Sequence, residues 1–331
     1  MTCRVAAVDC GTNSLRLLVA DVDVNGGEMT DVARRMEIVR LGQGVDRTGR
    51  LAPGALARAT GVLRDYADII AGPAARAVRM VATSATRDAS NTADFTRQVK
   101  EILGVAPEVL TGSEEAILSF AGATTELAAG RDSAHYSAHY RGPFLVVDIG
   151  GGSTEFVLGV TASASAGQPD ERAVQEISVN IGCVRMTERH LHGDPPTGPE
   201  VAAAVADIDA ALDMVSDAVP VGQARTLIGL AGSVTTVAAI AMDMPSYDAA
   251  RIHHSRVSAA KVHEVTRSLL AQTRAERAAI PVMHPGRVDV IGGGALVLDR
   301  IMQRFGFGEV LVSEHDILDG IAWSLARQSG R

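Results

Sequence analysis

Two short loops rich in glycine carry the residues of this chain that could act on phosphate. They are Asp9-Cys-Gly-Thr-Asn-Ser14 and Asp148-Ile-Gly-Gly-Gly-Ser153, in which Asp, Gly and Ser recur at a constant offset of 139 positions. A turn of this kind presents backbone N–H groups and hydroxyls to one point, which suits a phosphoryl oxygen. Each leading aspartate would repel phosphate unless a divalent cation lay between them, so Asp9 and Asp148 are candidate Mg²⁺ ligands.

Phosphoryl transfer to water also needs a carboxylate that accepts a proton or orients the water. Glu155 follows the second loop by two positions, while Glu114 and Glu115 follow Leu110-Thr-Gly-Ser113 at an expected strand-to-helix junction. A carboxylate at such a junction also stabilises the helix N-terminus, so capping is the alternative role. Spacing alone does not choose between Glu114 and Glu115.

Three further positions could grip an anion. Arg87 is the best cation for a transferring phosphoryl group, with an ion pair to a neighbouring aspartate as the alternative. Leu230-Ala-Gly-Ser233 and Ile291-Gly-Gly-Gly294 each end an apolar run and open an expected helix. The N-terminus of a helix offers more donors, although tight turns without a ligand would look the same.

The elements that must position these residues are short strands alternating with helices. Residues 4–9 and 15–22 are expected to flank the first loop as strands, and 144–148 and 154–161 the second. Apolar residues recur at helical spacing after Thr197, which with Glu200 fits a capping box. The pattern predicts an α/β protein of two lobes that share a duplicated opening hairpin, with a ligand in the cleft between them.

Composition excludes several other classes. The 331-residue chain has a formal net charge of −8, no block of Lys or Arg, and 3% aromatic residues, which argues against a nucleic-acid surface. Cys3, Cys10 and Cys183 show no CxxC pattern, so neither a disulfide framework nor a zinc site is expected. No signal peptide or membrane-spanning stretch is visible, and a cytoplasmic protein is expected.

The chain resembles the exopolyphosphatase/guanosine pentaphosphate phosphatase (Ppx/GppA) family over nearly its whole length. The segments that carry the resemblance are Asp9–Leu18, Thr83–Ala89, Thr111–Ala116, Val147–Glu155, Ile181–Arg185, Ala231–Thr235, Arg287–Gly294 and Val312–Glu314. The resemblance implies the actin-like ATPase (ASKHA) superfamily fold, in which two RNase H-like domains flank a cleft. It also implies Mg²⁺-dependent hydrolysis of terminal phosphate from inorganic polyphosphate, or alternatively of the 5′ phosphate of guanosine pentaphosphate.

The resemblance also assigns roles by position. Glu115 matches the family's catalytic glutamate, Glu155 a carboxylate that orients water, and Asp148 the metal-binding aspartate. Arg87 would stabilise developing charge. Together with the loop residues above, the expected phosphate-binding set is Gly11, Asn13, Ser14, Thr83, Gly150, Gly151, Gly152, Ser153, Gly232 and Ser233.

The resemblance also implies domain boundaries. Residues 1–127 with 315–331 are expected to form one RNase H-like domain and 144–314 the other, joined by 128–143, which holds a tandem Ser-Ala-His-Tyr repeat. The resemblance is to a short two-domain type without the helical HD-like and C-terminal domains of longer relatives, so short polyphosphate and low processivity are expected. Where many relatives have Arg-Glu-Gly, this chain has Leu318-Asp319-Gly320, which puts one phosphate contact in doubt. A homodimer is also expected, and a non-catalytic sensor of guanosine tetraphosphate or polyphosphate is the alternative of another class.

Overall fold

The computed structural model describes residues 2–24, 26–72, 75–129, 142–160 and 174–329. The Ser-Ala-His-Tyr repeat and most of the expected linker 128–143 lie outside these described residues. The described chain falls into two compact units, one made of residues 2–129 and 316–329 and the other of 142–160 and 175–315. None of the described helices is long and apolar enough to cross a lipid bilayer.

The first unit is a five-stranded sheet covered by helices on both faces. Its strands are β1 (Thr2–Cys10), β2 (Ser14–Asp23), β3 (Glu28–Ile38), β4 (Ala77–Ala82) and β5 (Glu108–Val109). Its helices are α1 (Val45–Thr48), α2 (Pro53–Ala71), α3 (Ser84–Asp88), α4 (Ala93–Leu103), α5 (Gly112–Ala129) and, last in the chain, α13 (Ile317–Ser329). The sheet order is β3-β2-β1-β4-β5, with β1–β3 antiparallel and β4 and β5 parallel to β1.

The second unit repeats this plan. Its strands are β6 (Phe144–Ile149), β7 (Thr154–Gly159), β8 (Gln175–Val179), β9 (Thr226–Leu230), β10 (Arg256–Ser258) and β11 (Glu309–Val312). Its helices are α6 (Cys183–His190), α7 (Gly198–Ala218), α8 (Ala231–Ala241), α9 (Ala249–Ile252), α10 (Ala259–Ala271), α11 (Arg274–Ala278) and α12 (Ile291–Phe305). The sheet runs β8-β7-β6-β9-β11-β10, again with three antiparallel strands followed by parallel ones, and β10 adds an antiparallel edge.

In the RNase H-like arrangement, three antiparallel strands are followed by parallel strands that are reached through helices. The chain contains this arrangement twice. The predicted α/β class and actin-like fold are therefore confirmed. The predicted opening hairpins are present as β1–β2 and β6–β7, although β7 ends at Gly159 rather than 161. The predicted capping box is also present, because Glu200 accepts from the Thr197 N–H at 2.7 Å.

Alternation along β1 decides which side of the first sheet each residue meets. Ala6 and Val8 belong to the apolar core on one face, together with Leu63 of α2 and Phe95 of α4. Odd-numbered residues of β1, such as Val5, join a second core with α13 on the other face. Asp9 therefore points to the side of the sheet that α13 covers.

Glycines let α13 pack closely against α5. A Cβ on Gly122 would lie 1.8 Å from the carbonyl oxygen of Asp316, and one on Gly320 would lie 2.1 Å from that of Leu118. Real Cβ atoms do not approach backbone this closely, so the contact requires glycine on both helices. Glu115 lies in the first turn of α5, so the same contact holds in place the helix that carries this candidate base.

We expect Gly320→Ala to lower the free energy of unfolding by about 3 kcal/mol, because the methyl group overpacks a backbone contact that cannot yield. Urea unfolding measures the change. Gly61→Ala on α2 is the matched control, since a Cβ there meets nothing within 4 Å. The control should stabilise the protein by about 0.5–1 kcal/mol. An unchanged urea midpoint for Gly320→Ala would show that α5 and α13 can move apart enough to admit the methyl group without loss of stability.

Candidate active-site residues

The two glycine loops have the same turn. The Gly11 N–H donates to the Ser14 carbonyl at 2.9 Å, and the Gly150 N–H donates to the Ser153 carbonyl at 3.0 Å. The equivalent bonds at equivalent positions show that the sequence repeat is a repeat of structure. Each turn joins two antiparallel strands whose ends hold the candidate carboxylates.

The second loop aims its amides away from helix α6. The Gly150 carbonyl accepts from Cys183 N at 2.9 Å, and the Gly151 carbonyl from Val184 N at 2.9 Å and Arg185 N at 3.1 Å. In a planar trans peptide the N–H points opposite to the carbonyl, so the N–H groups of Gly151 and Gly152 face the other way. Neither N–H has an acceptor among the described residues. Adjacent N–H groups that point the same way can form a nest that binds an anion.

Asp148 and Glu155 stand directly opposite each other on β6 and β7. They share the face of the sheet that turns away from the apolar core formed by Val147 and Phe156. Both are nearly fully buried, with exposed fractions of 6% and 1%. The Ser178 hydroxyl on β8 donates to Glu155 Oε1 at 2.7 Å and holds that side chain in place. Two adjacent buried carboxylates repel each other unless a cation or a proton lies with them.

In the first unit the equivalent pair consists of one acidic and one basic residue, so its charges are opposite. Arg16 stands opposite Asp9 in the β1–β2 register, at the position that Glu155 takes in the second unit. Its Nε and Nη2 donate to Asp9 Oδ2 at 3.0 and 2.8 Å, and its Nη1 contacts Asp316 just before α13. Burial raises the pKa of Asp9, while the Arg16 guanidinium opposes this shift. The other oxygen, Asp9 Oδ1, is buried with no hydrogen-bond partner among the described residues.

The first loop is also anchored through its carbonyls. The Thr12 carbonyl accepts from Gly42 N at 2.8 Å, and the Asn13 carbonyl from Val39 N at 3.0 Å and Arg40 N at 2.8 Å. Asn13 and Ser14 are half-buried at the turn, and their side chains make no hydrogen bond to any described residue. Both are therefore available to an anion. Thr83 is buried at the end of β4, where its N–H donates to the Cys10 carbonyl.

The two candidate glutamates in the first turn of α5 make different contacts. Glu114 accepts from both the N–H and the hydroxyl of Thr111 at 2.8 Å, and these bonds to Thr111 lower its pKa. Glu114 therefore caps the helix. Glu115 instead turns inward, is 8% exposed, and contacts Arg87 Nη1 through Oε2 at 3.2 Å. The same Arg87 nitrogen donates to the Leu110 carbonyl at 2.9 Å, which orients the guanidinium.

The later glycine clusters serve helix packing. A Cβ on Gly232 would lie 2.3 Å from Arg287 Nη2, and one on Gly294 would lie 2.2 Å from Ser233 Oγ. Gly232 thus lets the Arg287 guanidinium lie on its backbone, while the Ser233 hydroxyl sits between α8 and α12. Phosphate binding by Gly232 and Ser233 stays a prediction.

Three smaller features can be placed. Cys3, Cys10 and Cys183 are buried and not joined by disulfides. His253 stacks on His254, and no group of three His, Cys, Asp or Glu side chains in the described part of the chain is arranged to hold a metal by itself. Leu318 is 1% exposed and packs in the core of the first unit, so it cannot replace a phosphate-binding arginine.

Sequence reasoning missed Arg16, Asp316 and Arg185. A signal for Arg16 was present, because it lies at the same offset of 139 from Glu155 that relates the two loops. Asp316 gives no such signal, since its contact with Arg16 joins residues 300 positions apart. Arg185 lies in a matching segment, but nothing in that segment shows what its side chain contacts.

Comparison with known proteins places these features in a family. The model of the Ppx/GppA phosphatase family matches residues 18–328. The chain is 50% identical to Exopolyphosphatase 2 of Mycobacterium tuberculosis over 98% of both chains. A crystal structure of an exopolyphosphatase-like protein, 42% identical, superposes with a TM-score of 0.90 over 100% of this chain and 99% of that one. The PPX-GPPA enzyme of Aquifex aeolicus, 29% identical, superposes with a TM-score of 0.76 over 98% of this chain and 100% of that one.

Proposed function

Because the chain belongs to the Ppx/GppA phosphatase family, we propose that it is an exopolyphosphatase that releases terminal phosphate from inorganic polyphosphate. The observation that carries this proposal is the pairing, in one hairpin, of an outward amide nest with two buried, facing carboxylates. The nest suits a phosphate oxygen, and the carboxylates suit a cation bound to that phosphate. The choice of polyphosphate as substrate is supported by the 50% identity to a protein named Exopolyphosphatase 2.

Asp148 and Glu155 fit a divalent cation, and we assign Mg²⁺. Mg²⁺ is commonly held by one or two carboxylates and completes its shell with water and substrate oxygens. That arrangement agrees with a pair of facing carboxylates rather than a larger cluster. When bound, the ion neutralises charge on the phosphoryl oxygens. Asp148 is the proposed ligand, and Glu155, fixed by Ser178, is proposed to orient the water beside it.

Asp9 is a weaker candidate for the cation. Arg16 already balances its charge through Oδ2, whereas its unpartnered Oδ1 still offers a ligand atom. We therefore assign Asp9 an indirect role, in which Oδ1 contacts a cation only through water.

The attack on the terminal phosphorus is assigned to water with Glu115 as base. Water forms a new P–O bond, the bond to the next phosphate breaks, and Glu115 accepts the proton that the water loses. The products are orthophosphate and a chain shorter by one unit. Arg87 is oriented by the Leu110 carbonyl and Glu115, and it is proposed to bind the phosphoryl oxygens as their charge develops.

The test is phosphate release by the purified protein with Mg²⁺. We expect release from tripolyphosphate and longer polyphosphate at a kcat/KM at least about tenfold above that for guanosine pentaphosphate, a difference of about 1.4 kcal/mol in transition-state binding. A higher kcat/KM for guanosine pentaphosphate would reverse the assignment within the family. Tight binding of polyphosphate with no release of phosphate would instead indicate a non-catalytic sensor.

A further inference from the structure

The matching segment Ile181–Arg185 has a definite place in the structure but no role in the function proposed above. It forms the junction between β8 and α6, and it donates hydrogen bonds to the carbonyls of all three consecutive glycines of the second loop. The segment is remote in sequence from the loop, so the contact depends on the tertiary fold.

Three consecutive glycines make the loop suitable for an anion, but they also leave the orientation of its peptides poorly fixed. Without Cβ atoms the backbone can approach a phosphate closely, but each peptide can also rotate at little steric cost. A rotated peptide would present a carbonyl oxygen to the anion in place of an N–H. Something outside the loop must therefore hold the three peptides in one orientation.

Helix α6 supplies that constraint. The first N–H groups of a helix have no partner within the helix. In α6 the N–H groups of Cys183, Val184 and Arg185 donate to the carbonyls of Gly150 and Gly151. The loop thus caps the helix, and the helix fixes two of the three peptides.

The third peptide is fixed by a side chain. Arg185 is buried, and its Nε donates to the Gly152 carbonyl at 2.7 Å. Because the Gly152 carbonyl points toward Arg185, the Ser153 N–H of the same peptide points the opposite way. It joins the N–H groups of Gly151 and Gly152 on the anion side.

Gly182 makes this approach of α6 possible. A Cβ on Gly182 would lie 2.3 Å from the carbonyl carbon and oxygen of Gly151 and 2.5 Å from the nitrogen of Gly152. Its φ of −98° is open to any residue, so the need for glycine comes from the contact and not from backbone strain.

We propose that Arg185 is a positioning residue that, with Gly182 and the first turn of α6, holds three loop amides in the anion-binding orientation. The inference rests on the proposed function, because it assigns a support to the nest of that same site. Arg185 acts through the backbone of the loop.

The test uses the full chain with Arg185→Ala, Arg185→Lys and Gly182→Ala. Removal of one oriented donor from a catalytic site lowers kcat by about 10²–10³-fold. Three donors that stay in place but lose their fixed orientation should lower it by part of that factor. We therefore expect Arg185→Ala and Gly182→Ala to lower kcat/KM for tripolyphosphate by at least about tenfold, and Arg185→Lys to recover part of the loss. Arg277→Ala is the control, since Arg277 is equally buried and donates to the backbone carbonyls of Val288 and Gln272 away from the loop. Gly198→Ala controls for the added methyl, because a Cβ there meets nothing within 4 Å.

A second readout separates this inference from the proposed function. In protein labelled with ¹⁵N-glycine, inorganic phosphate should shift the Gly151 and Gly152 amide signals of the unmodified chain and of Arg277→Ala. In Arg185→Ala these shifts should be absent, or should require a phosphate concentration at least about tenfold higher. If no polyphosphate is hydrolysed but this pattern holds, the proposed function fails and the positioning role stands. If Arg185→Ala and Gly182→Ala keep both the shifts and kcat/KM, the positioning role is wrong.

Discussion

Replacing Glu115 with glutamine is expected to lower kcat for phosphate release by about 10²–10⁴-fold, the usual range for loss of a general base. The amide has nearly the same shape and can still accept a hydrogen bond from Arg87, so binding of substrate should change little. The loss should therefore appear in kcat, with KM within about threefold of the unmodified protein, because the interaction is one that matters in the transition state. Initial rates of phosphate release over a range of tripolyphosphate concentrations measure both constants.

Glu114→Gln is the matched control for this variant. It makes the same chemical change one position earlier, on a side chain that caps α5 through Thr111. Glutamine also serves in a capping box, so stability and kcat should stay close to those of the unmodified protein. Equal losses for both variants, or a Glu115→Gln variant that keeps its kcat, would remove Glu115 from the mechanism.

Asp148→Asn is expected to have opposite effects on stability with and without Mg²⁺. In the absence of divalent cations the change removes repulsion between two buried, facing carboxylates, so the variant should unfold at a higher temperature by an amount equivalent to about 1 kcal/mol. With Mg²⁺ at about 100 times its dissociation constant, the unmodified protein should gain about 2.7 kcal/mol that the variant does not. The order of the melting temperatures should therefore reverse. kcat/KM should fall by about 100-fold or more, since charge neutralisation by a bound ion contributes several kcal/mol.

Asp299→Asn is the control for burial of a carboxylate. Asp299 is also buried in the second unit, but it pairs with His263 at 3.0 Å instead of facing another acid. Its replacement should leave the response to Mg²⁺ unchanged. If Asp148→Asn kept the same Mg²⁺-dependent rise in melting temperature as the unmodified protein, the cation site would have to lie elsewhere.

Local patterns predicted much of this molecule. The two opening hairpins follow from apolar strands that flank turn residues, and the cap of α7 follows from Thr197 and Glu200. The roles of Glu114 and Glu115 could not be separated in that way, because both occupy the first turn of α5. Their difference depends on which side of the helix meets Arg87, and that is decided by tertiary packing.

The contacts that the sequence could not predict join distant segments. Arg16 meets Asp316, and Arg185 meets Gly152, through folds of the chain that leave no periodic signal. The glycines of 292–294 point to the same limit. A glycine cluster at the start of a helix predicts an anion site and a close helix contact equally well, and only the neighbouring Ser233 shows which one Gly294 serves. Mg²⁺, a homodimer and a cytoplasmic location stay predictions.

The two hairpins descend from one pattern but obtain their counter-charge from different sources. In the first, Arg16 is part of the chain, so its charge is present at fixed stoichiometry under every condition. In the second, Glu155 occupies the equivalent position, and the proposed cation would have to come from solution. If the proposed cation binds there, the charge balance of the second hairpin varies with the supply of free cation, while the Arg16–Asp9 pair of the first does not. Polyphosphate itself binds divalent cations, so on this proposal a surplus of substrate would act mainly on the second hairpin and slow phosphate release until cation is restored.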